Sequence, residues 1–172
     1  MANEKQQFVE ELKALLQKDV AEVKEQVEQI KTQFYRQYHQ DLEAQKQAAE
    51  VAATEAGETL ENWVPQVDET EQEFRELLNT YKQRRAELQQ QIQEEQAQNL
   101  LRKENILAQM KEMAEAETAD VMDNLKKMRD LQAEWKTIGP VPATKTQEIW
   151  KNYQQYQERF YDLVKINIEL RD

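Results

Sequence analysis

The sequence contains no cysteine, so disulfides and thiol chemistry are excluded, and the composition fits a reducing compartment. It has a single histidine, His39, set among Gln37, Tyr38, Gln40 and Asp41, the setting of an exposed or half-exposed helix residue. A di-iron carboxylate bundle needs two Glu-x-x-His motifs, and none is present. No apolar run approaches the ~18 residues of a membrane span, and the opening MANEKQQFVEEL lacks a hydrophobic signal core. A soluble cytoplasmic protein is expected. Walker glycine loops, calcium-loop spacing and a Ser-His-Asp set are all missing. The expectation is therefore a non-enzyme, with no catalytic residue, metal, cofactor or evident small-molecule substrate.

Only two glycines and three prolines punctuate 172 residues, and aromatics make up 8%. What fills the chain instead is charge (33%) and glutamine, as in QQQIQEEQAQ over 89–98, at a mean hydropathy of -1.00. That mixture suits long helices with narrow apolar stripes around a thin core. The net charge of -11 is uneven: -4 over 1–57, -7 over 58–117 and 0 over 118–172. An acidic surface raises the cost of approaching a phosphate backbone. The basic clusters Arg84-Arg85 and Lys126-Lys127-Arg129 read as solvated helix faces.

Apolar spacing organises the helices. A first helix is expected from the N-cap Asn3 to Gly57, a C-terminal stop, with Val20, Val23, Val27, Ile30 and Phe34 forming a coiled-coil-like seam that continues through Tyr38, Leu42 and Ala49. A connector carries Trp63 and Pro65, with room for a short helical turn before the proline. Asp68 and Glu71 stand at capping-box spacing and open a second helix, with Phe74, Leu77, Leu78, Tyr81, Leu88 and Ile92 on its stripe. The pattern weakens over 94–99, where a bend or frayed stretch is expected, and resumes with Leu100, Leu101, Ile106, Leu107, Met110 and Met113. The short connector folds helix two antiparallel on helix one. The fold class is thus all-α, a long helical hairpin over 1–117 followed by a shorter aromatic hairpin over 118–172.

That second hairpin joins a helix over 118–138, bearing Val121, Leu125, Met128 and Trp135, to one over 144–170, bearing Ile149, Trp150, Tyr153, Tyr156, Phe160 and Val164. Gly139, Pro140 and Pro142 fall within four positions between them, a concentrated break in which Gly139 can take the left-handed conformation. Trp135 and Trp150, with Tyr153, either lock this corner as core or line an aromatic pocket for a peptide or small ligand; core packing is the expected role. Met110, Met113, Met122 and Met128 are expected in the core as well.

The run from Leu131 through GPVP to Trp150, Tyr153 and Phe160 resembles a bacterial helical repeat family known as domain of unknown function number 349, most strongly over 120–165. The resemblance implies tandem helical repeats in longer proteins, of which this chain would be one piece, and marks Trp135, Gly139, Pro142, Trp150, Tyr153 and Phe160 as motif positions. It implies no reaction, cofactor or ligand. An offset of 72 residues sets Trp63 against Trp135, Leu78 against Trp150, Tyr81 against Tyr153 and Leu88 against Phe160; this is either a degenerate repeat or coincident helical spacing.

The function expected from these features is interaction or scaffolding. Ile30, Phe34, Leu77, Tyr81 and Leu88 would be shared with a protein partner or a second copy through helix packing. The rival is nucleic-acid or ribosome association through Lys126, Lys127, Arg129 and Lys136 in the neutral C-terminal third.

Overall fold

A computed structural model describes residues 4–117 and 120–171. Among these the chain is all-α: α1 (Glu4–Leu15), a 3-10 turn (Val20–Glu22), α2 (Lys24–Glu55), α3 (Glu69–Ala114), α4 (Val121–Thr137) and α5 (Ala143–Arg171). It divides into two compact units, residues 1–88 and 89–172, the division falling inside α3 where the sequence suggested one near 117. Among the described residues no helix is long and apolar enough to cross a membrane.

In the first unit, the single helix expected from Asn3 to Gly57 is corrected to two; Asn3 itself lies outside the described residues. Past Leu15 the bonding tightens, with Gln17 N–H on Ala14 O at 3.2 Å and Lys18 N–H on Leu15 O at 3.0 Å. Asp19 is then extended (φ -61°, ψ 124°), and its carboxylate accepts from Ala21 N–H at 3.0 Å, an N-cap that restarts the chain in a new direction. The turn is stable because 4–15 already carries its own stripe. Val9 and Leu12 are fully buried, in one core with Val23, Val27, Ile30, Phe34, Phe74, Leu78 and Tyr81. Full burial of each such aliphatic is worth about 1.5–3 kcal/mol.

This fold-back changes the standing of the residues expected to meet a partner. Ile30, Phe34 and Tyr81 are buried within the unit's own core, Leu77 packs against it half-buried, and Leu88 is half-buried. Phe34 stacks on Phe74 with centroids 3.8 Å apart and rings within 5° of parallel, and Tyr35 meets both edge-on. The correction has a simple cause: α1 supplies the cover that a continuous first helix would have left to another molecule.

Polar clamps fix the register. Lys5, buried, places its ammonium 2.5 Å from Asp68 and 2.8 Å from Asp41, joining all three helices at one point. Arg84 donates from Nη1 to the Leu16 carbonyl at 2.8 Å, satisfying a carbonyl left over beyond the end of α1. Asp68 caps α3 as expected, accepting from Glu71 N–H at 3.1 Å. The Glu71 carboxylate, however, accepts from Tyr35 O–H at 3.2 Å. Burial, with Glu71 beside it, pushes the Tyr35 phenol up to about 12.

Gly57 ends α2 at φ 75°, with Glu58 N–H on Ala53 O at 2.7 Å and Gly57 N–H on Thr54 O at 3.0 Å, the paired bonds of a Schellman motif. No helical turn precedes Pro65; residues 58–68 are irregular, and Val64 and Val67 are exposed. The weakened pattern over 94–99 does not interrupt the helix either. Glutamine, glutamate and alanine are good helix formers, the stretch holds no glycine or proline, and α3 runs through it unbroken.

The second unit packs the later part of α3 with α4 and α5. Phe160, Met110, Met128 and Val121 are fully buried, Ile106, Leu131 and Ile149 nearly so. Met113 joins them as expected, whereas Met122, also expected in the core, is only half-buried and stands outside it. The described part of α4 begins at Val121; Thr118, where the sequence placed the start, lies outside the described residues. Tyr161 O–H donates to Gln132 Oε1 at 3.3 Å, tying α5 to α4. The 72-residue offset does not pair like with like throughout. Trp63 lies in the irregular connector while Trp135 is helical, and Leu78 is buried while Trp150 is not.

Candidate functional site: an aromatic cleft

The corner between α4 and α5 has a shape that its sequence only partly announces. α4 ends at Thr137, and Ile138 turns extended (φ -85°, ψ 132°). Gly139 does not adopt the left-handed conformation expected of it, since Gly57 is the glycine with positive φ. Its small size matters for another reason: a Cβ there would come within 3.1 Å of Asn99 Nδ2. That amide donates to the Pro140 carbonyl at 2.8 Å, docking the turn on α3. Pro140 is exposed and Pro142, half-buried, directly precedes α5. With its ring-fixed φ and missing N–H, proline suits that place.

The four aromatic residues of the motif have separate roles. Trp135 and Tyr153 are buried with centroids 4.4 Å apart, and Phe160 lies two turns further along α5 in the core. Trp150 is different. It stacks on Tyr153 at 5.4 Å, 9° from parallel, yet remains 50% exposed. The core role expected for it is thus corrected: at position 150 the helix has rotated past the core, and Ile149 fills the inward place.

Trp150 stands at the rim of a cleft of about 220 Å³ whose walls are Trp135, Pro140, Val141, Thr146 and Ile149. Its remaining wall is Lys103 of α3, whose ammonium lies 4.7 Å from the Trp135 ring centroid. Burial pulls the Lys103 ammonium below the ordinary lysine value. Among the described residues no carboxylate lies within 4 Å of it. The cleft is a half-open apolar slot with one cation in its wall.

Lys103 and Asn99 were absent from the sequence reading, though a signal existed. Both stand at steps of four before the buried Leu107, so each puts a polar side chain where the α3 stripe calls for an apolar one. The stripe assigned to Leu101 obscured this, since Leu101 is 59% exposed and off the core face.

The other expected groups are placed as follows. Lys126, Lys127, Arg129 and Lys136 are exposed on α4, interleaved with exposed Asp123, Asp130 and Glu134. Arg84 is occupied by Leu16, and Arg85 lies 5.9 Å from the Tyr81 ring centroid. His39 is exposed beside Tyr35 and Tyr38. Among the described residues no three His, Asp or Glu side chains are grouped to hold a metal ion.

The architecture defines an all-helical protein built from two small helical units. Residues 69–144, from the first turn of α3 to the start of α5, match the family described as Domain of Unknown Function (DUF349). The matched segment includes Trp135, Gly139, Pro140 and Pro142, together with Asn99 and Lys103; it stops before Trp150, Tyr153 and Phe160. No curated protein and no solved structure matches the chain.

Proposed function

We propose that this is a non-enzymatic helical interaction protein that receives an apolar group of a protein partner in the aromatic cleft of its second unit. The observation that supports the reading is the half-exposed Trp150, stacked on Tyr153 at the mouth of an apolar slot. Exposed tryptophan held over a pocket is a common anchor of protein recognition, because it offers large contact area with little conformational entropy to lose. The partner surface moves accordingly from Ile30, Phe34 and Tyr81, which the first unit uses internally, to Trp150 and its neighbours. Selection of a phage-displayed random peptide library on the protein and on Trp150→Ala tests it. Peptides that bind the first and not the second are expected; a selection yielding only peptides indifferent to Trp150 overturns the proposal.

Nucleic-acid association through α4 is the weaker reading. Its lysines alternate with exposed acids, so phosphate contacts would be gained beside repulsive ones.

A further inference from the structure

Lys5 and Lys103 both occupy apolar-stripe positions, and among the described residues carboxylates meet Lys5 but not Lys103. Lys5, four residues before Val9, is held by Asp41 and Asp68. Lys103, four residues before Leu107, is drawn into the protein against Trp135 and has no carboxylate within 4 Å among the described residues. The neighbouring Arg102 pairs with Glu134 at 3.9 Å, which leaves Lys103 aside. A partly desolvated ammonium with three donors, lining an open apolar slot, is half of an ion pair.

The slot's volume narrows the choice of anion. About 220 Å³ is below the 300–1,000 Å³ of ordinary small-molecule pockets and corresponds to about seven waters at ~30 Å³ each, the scale of a single residue. A single residue that brings an apolar side chain and a carboxylate together is the last residue of a chain.

We propose that the cleft captures the C-terminal residue of a partner polypeptide, its apolar side chain between Trp135, Ile149 and Trp150 and its free α-carboxylate on the Lys103 ammonium. This rests on the cleft being the partner site, and it adds the ligand's chemistry. Thr146 also lines the cleft, with its hydroxyl donating to the Pro142 carbonyl at 3.4 Å.

The test uses the full chain, labelled with nitrogen-15, because its three tryptophans give three indole N–H signals. Trp135 and Trp150 report on the cleft, and Trp63, in the connector, is the control. The probes are N-acetyl-leucine, N-acetyl-leucinamide and N-acetyl-glutamyl-leucinamide, the last carrying a side-chain carboxylate and a blocked terminus. N-acetyl-leucine is expected to move the Trp135 and Trp150 signals without moving Trp63, and to bind about tenfold more tightly than either amide, the gain of one charge-assisted hydrogen bond at a half-solvated site. Lys103→Gln should remove that preference while Lys103→Arg keeps it, so a folding defect in one variant does not decide the outcome. Equal binding of acid and amide overturns the carboxylate assignment but leaves the cleft as an apolar site. Equal binding of N-acetyl-leucine and N-acetyl-glutamyl-leucinamide overturns the chain terminus. Movement of Trp63 alike, or of none of the three, overturns the cleft itself.

Discussion

Replacing Lys5 by methionine is the sharpest perturbation of the first unit. Methionine keeps an unbranched stem of similar length, so packing is largely retained and the loss isolates the charge. Breaking a buried ion pair by removing one partner costs ~3–5 kcal/mol. Here the side chains of Asp68 and Asp41 keep 20% and 35% of their exposure, so water recovers part of that, and a loss of about 2 kcal/mol is expected. The signature is its pH dependence. Burial alone would lower the Lys5 pKa, but hydrogen bonds to Asp41 and Asp68 outweigh it and hold the ammonium above the ordinary 10.5. Burial alone would raise the Asp68 pKa, but the Lys5 hydrogen bond and the Glu71 N–H outweigh it and hold the carboxyl below 3.8. A raised lysine contributes stability that is complete below its unfolded pKa and lost as pH rises through the folded one. A lowered aspartate contributes stability that is present above its unfolded pKa and lost as pH falls through the folded one. The ion-pair stability should therefore be flat between 3.8 and 10.5 and fall on both sides, with both flanks shallower in Lys5→Met. Urea titrations followed by far-ultraviolet circular dichroism across this range and beyond both its ends measure it. A Lys5→Met midpoint equal to the parent's at pH 7 would refute the reasoning. Asp68→Asn separates the pair from the cap, because asparagine caps a helix as well as aspartate does.

Two contrasts test the second unit. Trp150→Ala should cost only about 1 kcal/mol, the loss of a half-exposed stack, whereas Phe160→Ala should cost ~3–5 kcal/mol; thermal melts giving the two equal losses would return Trp150 to the core. Gly139→Ala should push Asn99 off the Pro140 carbonyl, at ~0.5–1.5 kcal/mol, but in an Asn99→Ala background it should stabilise by ~0.4–1 kcal/mol through the unfolded chain. The same change in both backgrounds would show that the amide does not hold the turn.

The parts of the fold that were legible in sequence are those where one residue type has one local job. Gly57 ends α2, Asp68 starts α3, and the Gly139–Pro142 cluster separates α4 from α5, because left-handed backbone, capping carboxylates and proline act over a few bonds. The reversal after Leu15 was not legible for the opposite reason. It uses no glycine or proline, and a valine stripe from Val20 onward continues the helical spacing across it. Local periodicity is then compatible with one helix or two, and the choice is made by Val9 and Leu12 finding Phe34 and Phe74 far along the chain. The cleft divides in the same way. Trp135, Pro140 and Trp150 were visible as neighbours in sequence, but Lys103 and Asn99 reach the site from another helix.

Both distant lysines follow one physical rule, and it distinguishes structure from function here. A charge placed on an apolar stripe has lost part of its hydration and must be compensated by its surroundings. In the first unit the compensation is complete: Asp41 and Asp68 come from α2 and from the cap of α3, and the lysine becomes a three-helix clamp. In the second unit the ammonium has the face of Trp135 on one side and an open slot on the other, so the compensation supplied by the protein stops at a ring quadrupole, worth ~0.5–2 kcal/mol. Substituting Lys103 by methionine should accordingly stabilise the second unit or leave it unchanged, the reverse of the expectation at Lys5. The same replacement at two equivalent stripe positions thus gives opposite signs if one lysine serves the fold and the other serves a ligand.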